Sequence, residues 1–158
     1  MALDVDVDIA CDAVSLPSPA DFTQWASRTL AHVSESGSRE LSVRVVDEAE
    51  IQHLNATYRS KDSPTNVLAF PVASESVAEW PESLPRPLGD LVLCASVVER
   101  EADEQDKPSA EHWAHLTVHG TLHLLGFDHV TERGASEMEG LEVEILAAGG
   151  IANPYRTR

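Results

Sequence analysis

The sequence predicts an α+β fold: one domain over residues 1–158, with an approximately four-stranded mixed sheet and helices packed on it. Three observations lead there. Strand-like segments, alternating or continuously apolar, recur near residues 3–11, 41–45, 67–71 and 88–94, and segments of helical period separate or follow them. Their order, β-α-β-α-β-β and then helices, is that of an α+β layer structure. The length of 158 residues is near the usual size of one domain, and neither an internal repeat nor a linker interrupts it.

Residues 3–11 alternate strictly, Leu3, Val5, Val7, Ile9 and Cys11 against Asp4, Asp6, Asp8 and Ala10, which predicts a half-buried strand at a sheet edge. A turn over Leu16 to Pro19 follows. Ser18 or Pro19 opens a helix to about Ser34, with Phe22, Trp25, Ala26, Leu30 and Val33 on its inner face. After a loop at 35–38, Leu41, Val43 and Val45 form a second strand, with Ser42 and Arg44 facing the other way. Asp47 is the expected N-cap of a helix through Ile51, Leu54 and Tyr58.

The polar stretch 58–66 leads into Val67, Leu68, Ala69, Phe70 and Pro71, a short apolar run of the kind covered on both faces. Residues 72–87, with Pro81, Pro85 and Pro87, read as a surface loop. Residues 88–94 form another buried strand, in which Asp90 needs a partner. Helices are expected over about 96–106, from Ser109 onward, and over about 132–148. The last has Met138, Leu141, Ile145 and Leu146 inward and Glu137, Glu139, Glu142 and Glu144 outward, and ends at Gly149 and Gly150.

The formal net charge is −16, which argues against membrane adhesion and indiscriminate nucleic-acid binding but leaves room for a local basic patch. The cysteines, Cys11 and Cys94, form no C-x-x-C pair and are expected as buried, reduced thiols. The N-terminus lacks the basic and apolar regions of a secretory leader, and no apolar run approaches membrane-spanning length. A cytoplasmic protein with no membrane partner is expected.

The stretch with the strongest chemistry is His119-Gly-Thr-Leu-His-Leu-Leu-Gly-Phe-Asp-His129, three imidazoles at H-x3-H-x5-H. Residues four apart on a helix differ by only about 40° in direction, so His119 and His123 project together. Gly126 suits a left-handed helix end, which lets the chain turn and return His129 as a third ligand. Three protein ligands leave a fourth position open, the arrangement of catalytic rather than structural zinc sites. The motif has the outline of the zinc-protease signature, except that Gly120 stands where the protease general base would be Glu. Phosphodiester cleavage of RNA tolerates that loss better, because the 2′-hydroxyl is an internal nucleophile and much of the task is charge stabilisation around phosphate.

Asp128 could orient an imidazole, act as a base, or serve in helix-exit hydrogen bonding. His115, one turn before His119, lies on too straight a line to share the ion and is expected to face substrate or support a ligand. His112, His53 and His32 are read as ordinary surface residues. Arg59 and Lys61 flank the turn feeding the third strand, where functional loops gather, and the Arg59 guanidinium suits bidentate phosphate contacts. A surface ion pair is the plainer role for it. Arg39 and Arg44 could enlarge the same basic patch.

The motif from His119 to His129, the run Leu54-Asn-x-x-Tyr-Arg-x-Lys-Asp-x-Pro-Thr-Asn-Val-Leu-Ala-Phe-Pro71 and Leu88-Gly-Asp-Leu-Val-Leu93 resemble the YbeY-type endoribonuclease and rRNA maturation family, in matching order over about residues 40–150. The N-terminal third is similar only loosely, and Ala69 replaces a common Ser. The resemblance implies a cytoplasmic, zinc-binding, single-strand-specific endoribonuclease acting in 3′-end maturation of small-subunit rRNA and in ribosome quality control. It implies one Zn2+ on His119, His123 and His129, and Arg59 as the catalytic cation of the cleft; Lys61 and His115 stand beside these, from their positions alone, as candidate substrate contacts. Partners would be single-stranded rRNA and the ribosomal small subunit or its proteins. Two other readings stand beside it: a non-enzymatic ribosome-assembly module whose metal is structural, and a metallopeptidase, against which Gly120 argues.

Overall fold

The protein is described by a computed structural model covering residues 3–35, 37–73, 80–81 and 83–156. Strand β1 (Leu3–Ala10) is followed by α1 (Pro19–His32), β2 (Arg39–Val46), α2 (Glu48–Arg59), β3 (Val67–Pro71) and β4 (Arg86–Cys94). Three helices complete the described chain: α3 (Ala95–Glu104), α4 (Ser109–Leu124) and α5 (Glu132–Ala148). The sheet runs β1-β2-β4-β3, with β1, β2 and β4 parallel and β3 antiparallel to β4. The mixed four-stranded α+β architecture is the one the sequence predicts.

Local chemistry explains the element ends. Ser18 and Asp21 form a reciprocal capping box at the start of α1, at 3.1 and 2.9 Å, with Pro19 in the first helical position. Asp47 caps α2 by accepting the Glu50 N–H at 2.9 Å. The alternation of β1 places it at an edge, with Asp4, Asp6 and Asp8 exposed.

The two central strands divide their side chains between two layers. Leu41, Val43, Val45, Leu91 and Leu93 pack with Phe22, Trp113, Leu122, Met138 and Ile145 into the main core, under α1, α4 and α5. Val46, Val92 and Cys94 face the other way and join Ile51 of α2 and Val97 of α3. Leu88 is the extra residue of a bulge in β4, between the pairs Glu40–Pro87 and Leu41–Gly89. Gly89 there has φ +143°, and a Cβ on it would overlap the Phe70 carbonyl oxygen.

The run 67–71 is covered on both faces as expected, Val67 and Ala69 packing on the main core and Leu68 and Phe70 on the second one, although it lies at the sheet edge. Two expectations change. Strand β4 begins at Arg86, inside the expected loop, and residues 74–79 and 82 of that loop lie outside the described residues. Asp90 is exposed rather than buried, because α2 covers only part of the outer sheet face and leaves a trough beside Asp6, Asp8 and Arg44. Both cysteines are free, Cys94 buried and Cys11 half-buried.

Candidate metal centre

Helix α4 packs on β3 and β4, and Gly120 seats it closely against them. A Cβ at Gly120 would sit 2.7 Å from Leu91 Cδ2 and 3.5 Å from Val67 Cγ2. This close seating brings the flanking histidines over the open edge of the sheet. The helix then ends as the glycine predicts. Gly126 has φ +100°, its N–H donates to the His123 carbonyl at 3.0 Å, and the Phe127 N–H donates to the Leu122 carbonyl at 3.1 Å. The paired bonds turn the chain sharply, and His129 comes back over the last turn of α4.

The result is a convergent triad. Ring centroids lie 4.7 Å apart for His119 and His123, 5.1 Å for His123 and His129, and 5.6 Å for His119 and His129. One nitrogen from each ring can be chosen so that all three fall within 4.8 Å of one another. Tetrahedral zinc with bonds of about 2.0–2.1 Å needs nitrogens roughly 3.4 Å apart, so small side-chain adjustments suffice. His119 and His123 are half-buried and His129 is exposed, which leaves the outer side open. Burial, and then repulsion from His119 and His129, push the His123 ring down to about 4, so it is a neutral imidazole with a free lone pair at neutral pH. Three imidazole nitrogen donors with one open side fit a catalytic divalent ion such as zinc.

The cavity in front of the triad, of about 370 Å3, is lined by Arg59, residues 65–69, Gly120 and the three histidines. Among the described residues its lining holds no carboxylate, whereas the other large cavities described each include Asp or Glu. Arg59, the last residue of α2, reaches it over β3 and donates to the Ala69 carbonyl at 2.7 Å and the Tyr58 carbonyl at 3.3 Å. Its other N–H groups remain for a ligand. An anion thus has a confined place here, despite the charge of the whole chain.

Other candidates fall elsewhere. Lys61 is exposed beyond the end of α2 and does not line the cavity. Arg39 pairs with Glu35, and Arg44 pairs with Glu50 and Asp8 on the sheet face opposite α4, so neither enlarges the patch. Asp128 takes the turn role, accepting the Val130 N–H at 3.2 Å, and Thr131 caps α5. His32 bonds Glu144 at 2.8 Å near the surface, and His53 is exposed. His112 is not a surface residue: it is 3 % exposed, its Nε2 lies 2.9 Å from Glu101, and burial pushes its ring below the usual value.

The largest departure is Glu142. Expected outward, it is 0 % exposed, with Oε1 2.7 Å from His115 Nε2 and 3.1 Å from His119 Nδ1. Its Oε2 accepts the Tyr155 hydroxyl at 3.0 Å. Burial alone would raise this carboxyl, but the hydrogen bonds and charge of His115 and His119 more than offset it and hold it at about 2. Burial and the Glu142 carboxylate push the Tyr155 hydroxyl well above its usual value. His115 therefore faces Glu142 and Tyr155, and it does not line the cavity. The sequence did hold a signal: Glu142 falls at i+4 from Met138 and i−3 from Ile145, within the apolar stripe.

Known proteins resemble this chain in sequence and in fold. A sequence model of the family described as Endoribonuclease YbeY matches residues 10–150. A protein of Alkalilimnicola ehrlichii named Endoribonuclease YbeY is 54% identical over 156 residues, covering 98% of this chain and 92% of that protein. Among solved structures, the solution structure of TM1509 from Thermotoga maritima is similar in fold. It aligns with a TM-score of 0.55 at 22% identity, over 95% of this chain and 99% of that one.

Proposed function

The chain belongs to the YbeY endoribonuclease family, and on that premise we propose that it is a zinc-dependent, single-strand-specific endoribonuclease of small-subunit rRNA. It matures the 3′ end of that RNA and takes part in ribosome quality control. It works in the cytoplasm, with the ribosomal small subunit or its proteins as partners, as one metal-dependent domain over residues 1–158. Among the described residues no helix is long and apolar enough to cross a membrane.

The observation that carries this reading is the pairing of a three-imidazole cluster with a carboxylate-free cavity that Arg59 enters. His119, His123 and His129 hold the ion. When bound, zinc supplies Lewis acidity toward a phosphoryl oxygen and lowers the pKa of a coordinated water toward about 7. Arg59 binds the phosphate and neutralises the charge that grows on its oxygens in the transition state. Its carbonyl contacts hold the guanidinium in place, so little ordering is left for the moment of reaction. Among the described residues no carboxylate lines the cavity, which favours an approaching RNA backbone.

The test is cleavage of matched single-stranded and duplex RNAs by the purified protein, with chelator and with zinc restored. The expected result is cutting of the single strand alone, lost on chelation and regained with zinc. A 2′,3′-cyclic phosphate end would assign the attack to the sugar hydroxyl, and a 5′-phosphate end to water. RNA left intact under every metal condition would overturn the reading.

A further inference from the structure

Glu142 occupies a place where a charge is expensive unless it is satisfied. It is completely buried on the stripe of α5 that also carries Met138, Ile145 and Leu146. Three donors, none from its own helix, converge on it. Oε1 receives the rings of His115 and His119 from α4, and Oε2 receives the hydroxyl of Tyr155 from the C-terminal tail. The tail itself is bent into place by the Tyr155 N–H, which donates to Asn153 Oδ1 at 2.8 Å.

An ionised carboxylate only accepts hydrogen bonds. A neutral His119 facing it through Nδ1 therefore keeps its proton on Nδ1 and presents the Nε2 lone pair. We propose that Glu142 is a positioning residue for metal binding: it fixes the tautomer and aim of His119, and Tyr155 completes the clamp from the C-terminal tail. The same oxygen, Oε1, also engages His115 Nε2, so the histidine one turn earlier is held away from the ion. The proposal rests on the reading of the triad as the metal site. Carboxylates that orient metal-bound imidazoles typically change affinity 10–100-fold when removed.

Two measurements test it. Long-range 1H–15N correlation of the imidazoles in the metal-free protein reads the tautomer directly. His119 is expected to carry its proton on Nδ1, and an Nε2-protonated ring would overturn the proposal. Zn2+ affinity, measured by competition with a chromophoric chelator, is then compared among wild type, E142Q and Y155F, each checked for fold by circular dichroism. E142Q is expected to bind Zn2+ roughly 10–100-fold more weakly, and Y155F to show a smaller loss. A folded E142Q with wild-type affinity would contradict the role. If E142Q does not fold, Y155F and the wild-type tautomer decide. If the wild type binds no Zn2+, the metal reading fails separately, and the His119 tautomer alone decides whether Glu142 orients that ring.

Discussion

The guanidinium carbon of Arg59 lies 5.0 Å from the centre of the Phe70 ring, while an N–H of the same group is donated to the Ala69 carbonyl at 2.7 Å. The first contact uses the face of a side chain on β3 and the second uses its free edge. Together they hold the cation of the cavity against the sheet, beside the three imidazoles. Tyr58, edge-on to Phe70 with centroids 5.5 Å apart, supports the ring from behind.

Arg59→Ala should lower kcat/KM for RNA by roughly 10²–10³-fold, the usual effect of losing one donor to developing charge. Zinc affinity and thermal stability should stay near wild type, because Arg59 is exposed and its described contacts are with the Phe70 ring and two backbone carbonyls. Arg59→Lys should recover little, since a point charge cannot reproduce the planar fork. Phe70→Leu removes only the ring face, worth about 0.5–1 kcal/mol, and should reduce kcat/KM a few-fold. Steady-state kinetics beside a zinc titration separate these outcomes.

His123→Ala should abolish cleavage and weaken zinc binding by at least roughly 100-fold, since two imidazoles make a poor tetrahedral site. The fold should survive, because His123 is half-buried at the rim of the helix rather than in the core. Loss of RNA cutting with retained circular dichroism and retained partner binding marks an enzyme. Retained cutting would favour a structural metal.

Gly120→Glu would place the protease-type residue beside His119, and the packing opposes it. Its Cβ must displace the buried Leu91 or lift α4 off the sheet. Overpacking of this kind costs about 1–3 kcal/mol, partly offset by roughly 1 kcal/mol of helix propensity regained from glycine. The expected outcome in chemical denaturation is a net loss of at most about 2 kcal/mol, with no metal-dependent peptide cleavage gained.

The metal-free protein should lose stability as pH falls below about 6.5, the ordinary histidine value. Burial lowers the folded-state values of His112 and His123, the latter to about 4, so the unfolded chain takes up protons that the folded chain refuses. Stability therefore declines from pH 6.5 toward 4, by roughly 2 kcal/mol once solvent screening of half-exposed groups is allowed for. Glu142 acts lower down: its carboxyl, held at about 2, adds stability that disappears only as pH falls from 4.5 toward 2. Urea midpoints across pH for the chelated protein check this, and the upper slope should shrink in His112→Gln.

Features set by near neighbours were legible in the sequence. The helix start at Ser18 and Pro19, the Asp47 cap, the alternation of β1 and the Gly126 bend are short-range patterns, and each appears as read. So does the convergence of His119, His123 and His129, because one helix turn and one bend specify it. What the sequence obscured depends on segments distant in the chain. Glu142 reads as outward on charge alone, and only the arrival of His115 and His119, 27 and 23 residues earlier, makes its burial tolerable. His112 is hidden for the same reason, through Glu101 on the preceding helix. Asp90 reads as buried because its neighbours are apolar, but α2 stops short of it. The apolar run of β3 marks its packing under α4 and its antiparallel pairing with β4, and its position at the edge is a matter of topology.

The account depends most on a single ion shared by His119, His123 and His129 and required for cutting RNA. Stoichiometric zinc titration of the chelated protein, followed by cleavage of a single-stranded RNA, tests this directly. Activity should rise in proportion to added zinc and saturate at one ion per chain, and His123→Ala should show no such rise. Full cleavage without metal, or an equal rise in His123→Ala, would contradict it.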